Sequence, residues 1–175
     1  EYLDKTFTED HIIEVDSSFF NIFSIPVIKG DAANLLNSPR RAVVSESTAK
    51  RIFGNEDPID KAIKIGNDTT RYIVSGIMAD VPAKSHFEAN ILTSFMTNPR
   101  SQSPIWMSNS FSTYLLLKPN TSYKTVDEKI PAMLEKYVGP ELQQYMGISL
   151  ADFKAQGNNY RFILQNLTDI HLDPG

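Results

Sequence analysis

Apolar residues at Ile12, Ile13 and Val15 mark the first strand, and the period of the pattern changes directly after it. Asp16 stands where a helix N-cap is favoured, and Phe19, Phe20 and Phe23 recur at helical spacing along one side of residues 17–23. Three phenylalanines so spaced belong to a core face rather than to an aromatic ligand box. Pro26 and Gly30 punctuate a loop, and Ala42, Val43 and Val44 then predict a short buried strand. Ser45 can cap the helix that follows. Ala49, Ile52 and Phe53 supply its apolar side, and Gly54 is placed where a residue of positive φ would stop it. Asn55, Glu56, Asp57 and Pro58 form a turn. Alternation over residues 62–65 and 71–78, with Gly66-Asn67-Asp68 between, predicts a β-hairpin.

Residues 80–87 and 97–104 have loop composition. Residues 111–117 predict a strand, after which Val126, Ile130, Met133, Leu134, Tyr137 and Val138 trace a helix face at spacings of three and four. Pro131 predicts either a kink or a helix that starts there, and Gly139-Pro140 predicts its end. Shorter helices are expected over 141–146 and 149–156, and a closing strand over 160–167. Strand, helices, strand is the order of a βαβ-type or split α+β unit, so the fold class is α+β.

Charge narrows the partners. Lys and Arg total 17 against 21 for Asp and Glu, the net charge is -4, and no basic stripe occurs, which excludes nucleic acid. The absence of cysteine removes thiol catalysis, thiolate metal sites and disulfides. No apolar run reaches the ~20 residues of a membrane helix. The chain begins at Glu1 without a signal-peptide pattern and ends just after an apolar run, so it reads as a piece of a larger protein with any membrane anchor outside it.

Candidate chemistry is sparse. Residues 47–61 gather Glu56, Asp57 and Asp60 with Lys50, Arg51 and Lys61. A general acid needs a carboxyl shifted by burial, and a polar turn does not supply one, so this stretch reads as a joint between elements. Asp80 and His86 share a loop. The other histidines, His11 and His171, stand far off without metal-ligand spacing, and His86 reads as a polar loop residue. With no phosphate loop and no nucleophile elbow, neither catalytic residues, cofactor nor metal are expected. The only Trp, Trp106, and its neighbour Met107 are the candidates for a partner contact.

One ordered series of residues carries more. Asp16-Ser17-Ser18-Phe19-Phe20, Gly30, residues 42–45, Ala49-Lys50-Arg51-Ile52-Phe53-Gly54, Asp57-Pro58-Ile59, Ile63, residues 72–77, Tyr114-Leu115-Leu116-Leu117 and residues 167–172 together resemble the MacB-like periplasmic core domain of FtsX-like ABC transporter permeases. Family-pattern structural positions fall on Phe19, Phe20, Gly30, Phe53, Gly54, Pro58, Val74, Gly76 and His171. Where the family often has Gly after the Pro-Ile of the turn, this chain has Asp60, and a different local turn is expected. The resemblance implies a domain inserted between two transmembrane helices. Its porter-like lobe of βαβ-type units would comprise residues 1–41 and 108–175, and a smaller β-rich Sabre-like lobe residues 42–107. It implies a non-enzymatic domain at the periplasmic face of the bacterial inner membrane. Its partners would be its own transmembrane helices and a cytoplasmic ATP-binding domain or subunit, and some members work with a periplasmic adaptor protein. The expected role is to transmit ATP-driven motion for efflux or export of a peptide, drug or lipoprotein-like substrate. The alternative is a periplasmic module that binds a peptide or lipid in an apolar groove, and a third reading is an enzyme built on Asp80 and His86.

Overall fold

Val43 and its neighbours Ala42 and Val44 are all fully buried because both faces of their strand are covered, as a continuous apolar run requires. In the computed structural model, which describes residues 1–3, 5–66 and 69–170, that strand lies inside a six-stranded mixed sheet. His171 lies outside the described residues. The strands are β1 (Ile12–Val15), β2 (Val27–Lys29), β3 (Arg41–Ser45), β4 (Ala62–Lys64), β5 (Arg71–Met78) and β6 (Ile91–Ser94), in the order β1-β6-β3-β5-β2, with β4 also on β5. β1 runs parallel to β6, and β3 parallel to β5; the pairs β3–β6, β2–β5 and β4–β5 are antiparallel. Helix α2 (Glu46–Phe53) and β4 connect the parallel neighbours β3 and β5, which makes a βαβ unit.

The period-two alternation sorts side chains between two cores. Val43 and Leu92 join Phe19, Leu35, Leu36 and Met78 on the face carrying helix α1 (Phe19–Ile22). Ala42, Val44 and Ile91 join Ala49, Phe53, Ile63 and Val74 beneath α2. The Ser45 hydroxyl accepts from the Thr48 N–H, and Gly54 ends α2 at φ 64°, as the sequence predicts. The predicted hairpin is present as β4–β5, with Ile63 opposite Tyr72. Two strands go beyond the pattern. β2 occupies residues expected as loop, and β6 carries Ile91 and Leu92 between a parallel neighbour, β1, and an antiparallel one, β3.

The chain divides into two compact units, Glu1–Ser103 and Pro104–Gly175. β1 and β2 bond into the same sheet as β3, β5 and β6. The second unit holds α3 (Tyr123–Asp127), α4 (Ile130–Met146) and α5 (Leu150–Ala155). Pro131 sits in the first turn of α4, where its missing N–H costs nothing. Gly139-Pro140 does not end the helix. α4 runs on to Gly147 at φ 71°, because Val138 and Leu142 on either side are both fully buried and hold it together. Among the described residues, segments 111–117 and 160–166 form no ladder. Strand propensity depends on context, and Tyr160, Phe162 and Leu164 instead pack their side chains against the buried cluster of Ile130, Leu134, Val138, Leu142 and Leu150.

Candidate functional site

The charged stretch after α2 resolves into closed pairs. Lys61 bonds Glu56 and also donates to the Tyr2 hydroxyl at 2.9 Å, while Tyr2 donates to Glu56 at 3.1 Å. Lys29 reaches Asp57 at 2.6 Å, and Asp57 also accepts the Ile59 N–H at 3.1 Å. The hydrogen bond from Lys61 holds the Glu56 carboxyl below the usual glutamate range, and that from Lys29 does the same for Asp57. Carboxylates so paired stay ionised at neutral pH and make poor general acids. Pro58 is buried, and Asp60 holds φ 63°, the left-handed region that favours glycine. The turn therefore keeps a glycine-like backbone despite its Asp.

Asp80 and His86 serve different neighbours. The Asp80 carboxylate accepts the Ser47 N–H at 3.1 Å and the Ser47 hydroxyl at 2.8 Å, at the start of α2. Burial pushes its pKa up, but the Ser47 and Ser45 bonds outweigh it and leave the carboxyl below the usual aspartate range. His86 stacks obliquely on Phe23 at 5.9 Å and edge-on to Phe87 at 4.7 Å. Phe19 touches Phe20, Phe23 and Phe87 in the same aromatic group, at ring separations from 4.9 to 5.7 Å. Among the described residues, no group of three or more His, Asp or Glu side chains is placed to hold a metal ion.

Gly30 and Gly76 meet across β2 and β5. A Cβ on Gly76 would stand 2.5 Å from Leu35 Cδ2 and 3.0 Å from the Lys29 carbonyl, and one on Gly30 would stand 2.6 Å from the Ser75 carbonyl. Gly30 also has φ 107°. The ladder of β3 and β5 shifts register between Ala42 and Val43, opposite Ser75, whose hydroxyl donates to the carbonyls of Leu35 and Ala42. Leu35 fills the space that the two missing side chains leave.

Trp106 and Met107 part company in the second unit. Met107 packs into the core of α4, whereas Trp106 is 38% exposed and lies flat on Tyr137, with ring centroids 4.3 Å apart and planes 13° from parallel. The Glu141 carboxylate fixes the pair. It accepts the N–H groups of Trp106 at 2.7 Å and Met107 at 2.8 Å, and Tyr160 donates its hydroxyl to the Trp106 carbonyl at 3.1 Å. Burial and the neighbouring Glu141 charge raise the Tyr160 pKa. Nothing in the local sequence marks Glu141 or Tyr160 as such holders, since their partners lie 34 or more residues away.

The first unit also contains a cavity of about 400 Å³ beside an N-terminal arm whose described residues are 1–3 and 5–9. Its apolar lining comes from Phe7 of the arm, Ile12 of β1, Ile52 of α2, Ile63 and Ile65 at β4, and Ile91 of β6. The arm is pinned at both ends. The Lys64 N–H donates to the Glu1 carbonyl at 2.9 Å, and Arg51 bonds the Glu9 carboxylate, which also accepts from Asn90 at 2.7 Å. Burial raises the Glu9 pKa, but Asn90, the His11 N–H and Arg51 together leave it below the usual range.

The comparisons with known proteins agree with this architecture. A family model for the MacB-like periplasmic core domain matches residues 2–133. Among solved structures, the chain is similar to a domain assigned to a permease protein of Porphyromonas gingivalis. The identity is 20% and the TM-score 0.52, over 71% of this chain and 58% of that one, so the chain spans less than two thirds of that structure. It is also similar to the periplasmic region of MacB from Actinobacillus actinomycetemcomitans, at 15% identity and a TM-score of 0.49, over 93% of this chain and 72% of that one. No curated protein matches the chain. With the family model spanning well over half of its residues, the chain belongs to the MacB-like periplasmic core domain family.

Proposed function

We propose that this domain is the extracytoplasmic part of an ABC transporter permease at the periplasmic face of a bacterial inner membrane. It passes ATP-driven motion outward for efflux or export of a peptide, drug or lipoprotein-like substrate, and does so without covalent chemistry of its own. The observation that carries the reading is the family match over residues 2–133. Porter-like and Sabre-like lobes belong to the same reading, as does a cytoplasmic ATP-binding partner. Trp106, held flat and part-exposed, is the side chain we assign to contact with an adaptor protein.

The absence of cysteine makes a direct test simple. Lys84 and Lys124 are exposed, and either can be replaced by Cys in a full-length permease in which any cysteine outside these residues has been changed to Ser. A membrane-impermeant maleimide is expected to label Lys84→Cys in intact spheroplasts. Spin labels on Lys84→Cys and Lys124→Cys are expected to change their separation during ATP turnover, and not with a hydrolysis-deficient ATPase. Labelling only after lysis would refute the location, and a distance indifferent to ATP would refute the transmitted motion.

A further inference from the structure

We infer that residues 115–124 of the second unit are a contact for an anionic lipid bilayer, with Leu115, Leu116 and Tyr123 entering its headgroup zone. These three side chains are 56%, 69% and 50% exposed, so each keeps apolar surface in water that a contact would remove. A turn gathers them. The Thr121 N–H donates to the Lys118 carbonyl at 3.0 Å, with Pro119 at the second position and Asn120 at φ 62°, and the chain reverses between the leucines and Tyr123. Ser122 then caps α3, which opens on Tyr123 and Lys124.

Shape and charge together decide the occupant. Consecutive side chains leave a backbone in different directions, so Leu115 and Leu116, both more than half exposed, make a ridge rather than one side of a groove. A protein partner would need a cleft matched to both sides of that ridge, whereas a fluid bilayer surface closes round it without a matched shape. Residues 104–126 contain Lys118 and Lys124 and no Asp or Glu, although the whole chain has a net charge of -4. Both lysines are exposed, and among the described residues neither is in an ion pair. The positive zone ends at Val126, since Asp127 and Glu128 follow it. An anionic surface therefore attracts this stretch and repels the net negative remainder, which turns the ridge toward the lipid. Leucines flanked by Tyr and Lys are also the composition that settles at the headgroup level. The presence of a bilayer rests on the location proposed above, but vesicle binding by the chain is measured without it, so either reading can fail while the other stands.

Vesicles provide the readout. The full 175-residue chain is expected to co-sediment with vesicles of phosphatidylglycerol and phosphatidylcholine in equal parts. Binding to phosphatidylcholine alone should be at least about tenfold weaker, because each lysine near an anionic surface contributes roughly a factor of five. Leu116→Cys and Lys84→Cys each give a single site for a nitroxide in a chain without cysteine. On the vesicles the label at Leu116→Cys should gain collisions with oxygen and lose them with a water-soluble nickel chelate, while the label at Lys84→Cys, exposed in the first unit, stays as it was. Leu115→Glu with Leu116→Glu should abolish sedimentation, and Lys118→Gln with Lys124→Gln, which leaves the leucines in place, should weaken it at least about tenfold. Equal binding to both kinds of vesicle, or none to either, would overturn the contact. So would sedimentation that survives in the folded leucine variant, or a nitroxide response that is the same at both positions. Self-association that depends on the two leucines, without vesicle binding, would assign the ridge to a second copy of the chain instead.

Discussion

Leu35 shows how far a single residue's role extends beyond its own stretch. It is 2% exposed in a segment without regular structure, and it occupies the space above Gly30 and Gly76. Gly76→Ala puts a Cβ against Leu35 and a backbone carbonyl at once, and is expected to cost about 1–3 kcal/mol. Gly30→Ala adds positive-φ strain and should cost more than Gly76→Ala. Chemical denaturation checks both, and a Gly76→Ala protein as stable as the parent would show that Leu35 can move aside. Periodicity alone placed Phe53 on the apolar side of its helix, because it repeats at that element's own spacing. It could not show why residues 30 and 76 must be glycine, since the neighbour that demands it is distant in sequence.

At the scale of elements, α2 is the clearest case of local control. Its cap, apolar face and stop all stand within residues 45–54 and are present as predicted. Its second fastening comes from outside, through Asp80 on Ser47 and Glu9 on Arg51. Both carboxyls are held below their ordinary values of 3.8 and 4.5 in the folded chain. A depressed folded pKa gives stability that is full above the unfolded value and is lost as pH falls through the folded one. Thermal stability is therefore expected to drop between about pH 5 and pH 3, and Asp80→Asn with Glu9→Gln should lower it at neutral pH while flattening that drop. An equally steep acid limb in the double variant would assign the effect to other carboxylates. α4 teaches the opposite lesson to α2. Gly139-Pro140 is a strong local stop signal, yet the helix continues, because burial of Val138 and Leu142 outweighs the local penalty of about 3 kcal/mol or more. Strand signals at 111–117 and 160–167 likewise went unanswered in any ladder among the described residues, where Tyr160, Phe162 and Leu164 pack on a helical core instead.

At the scale of the whole molecule, the six strands of the described residues fall within residues 1–103, so that unit carries a sheet with a core on each face. A fragment of residues 1–103 is expected to fold alone, with dispersed amide resonances and a cooperative melt. A collapsed spectrum would mean that the second unit is needed for its stability. The sequence by itself determined the α+β class, helix α2, the β4–β5 hairpin, the net charge of -4, and the ordered series of residues by which the family could be seen. These depend on neighbours within about ten positions or on composition, and both are readable along a line. Tertiary structure alone decided the strand order, the division at Ser103, the Gly30–Leu35–Gly76 contact, the Glu141 hold on Trp106 and the cavity where Ile12, Ile52, Ile63 and Ile91 meet. Each of these joins residues from separate elements, and which surfaces meet is settled by burial across the whole chain rather than by the preferences of any one segment.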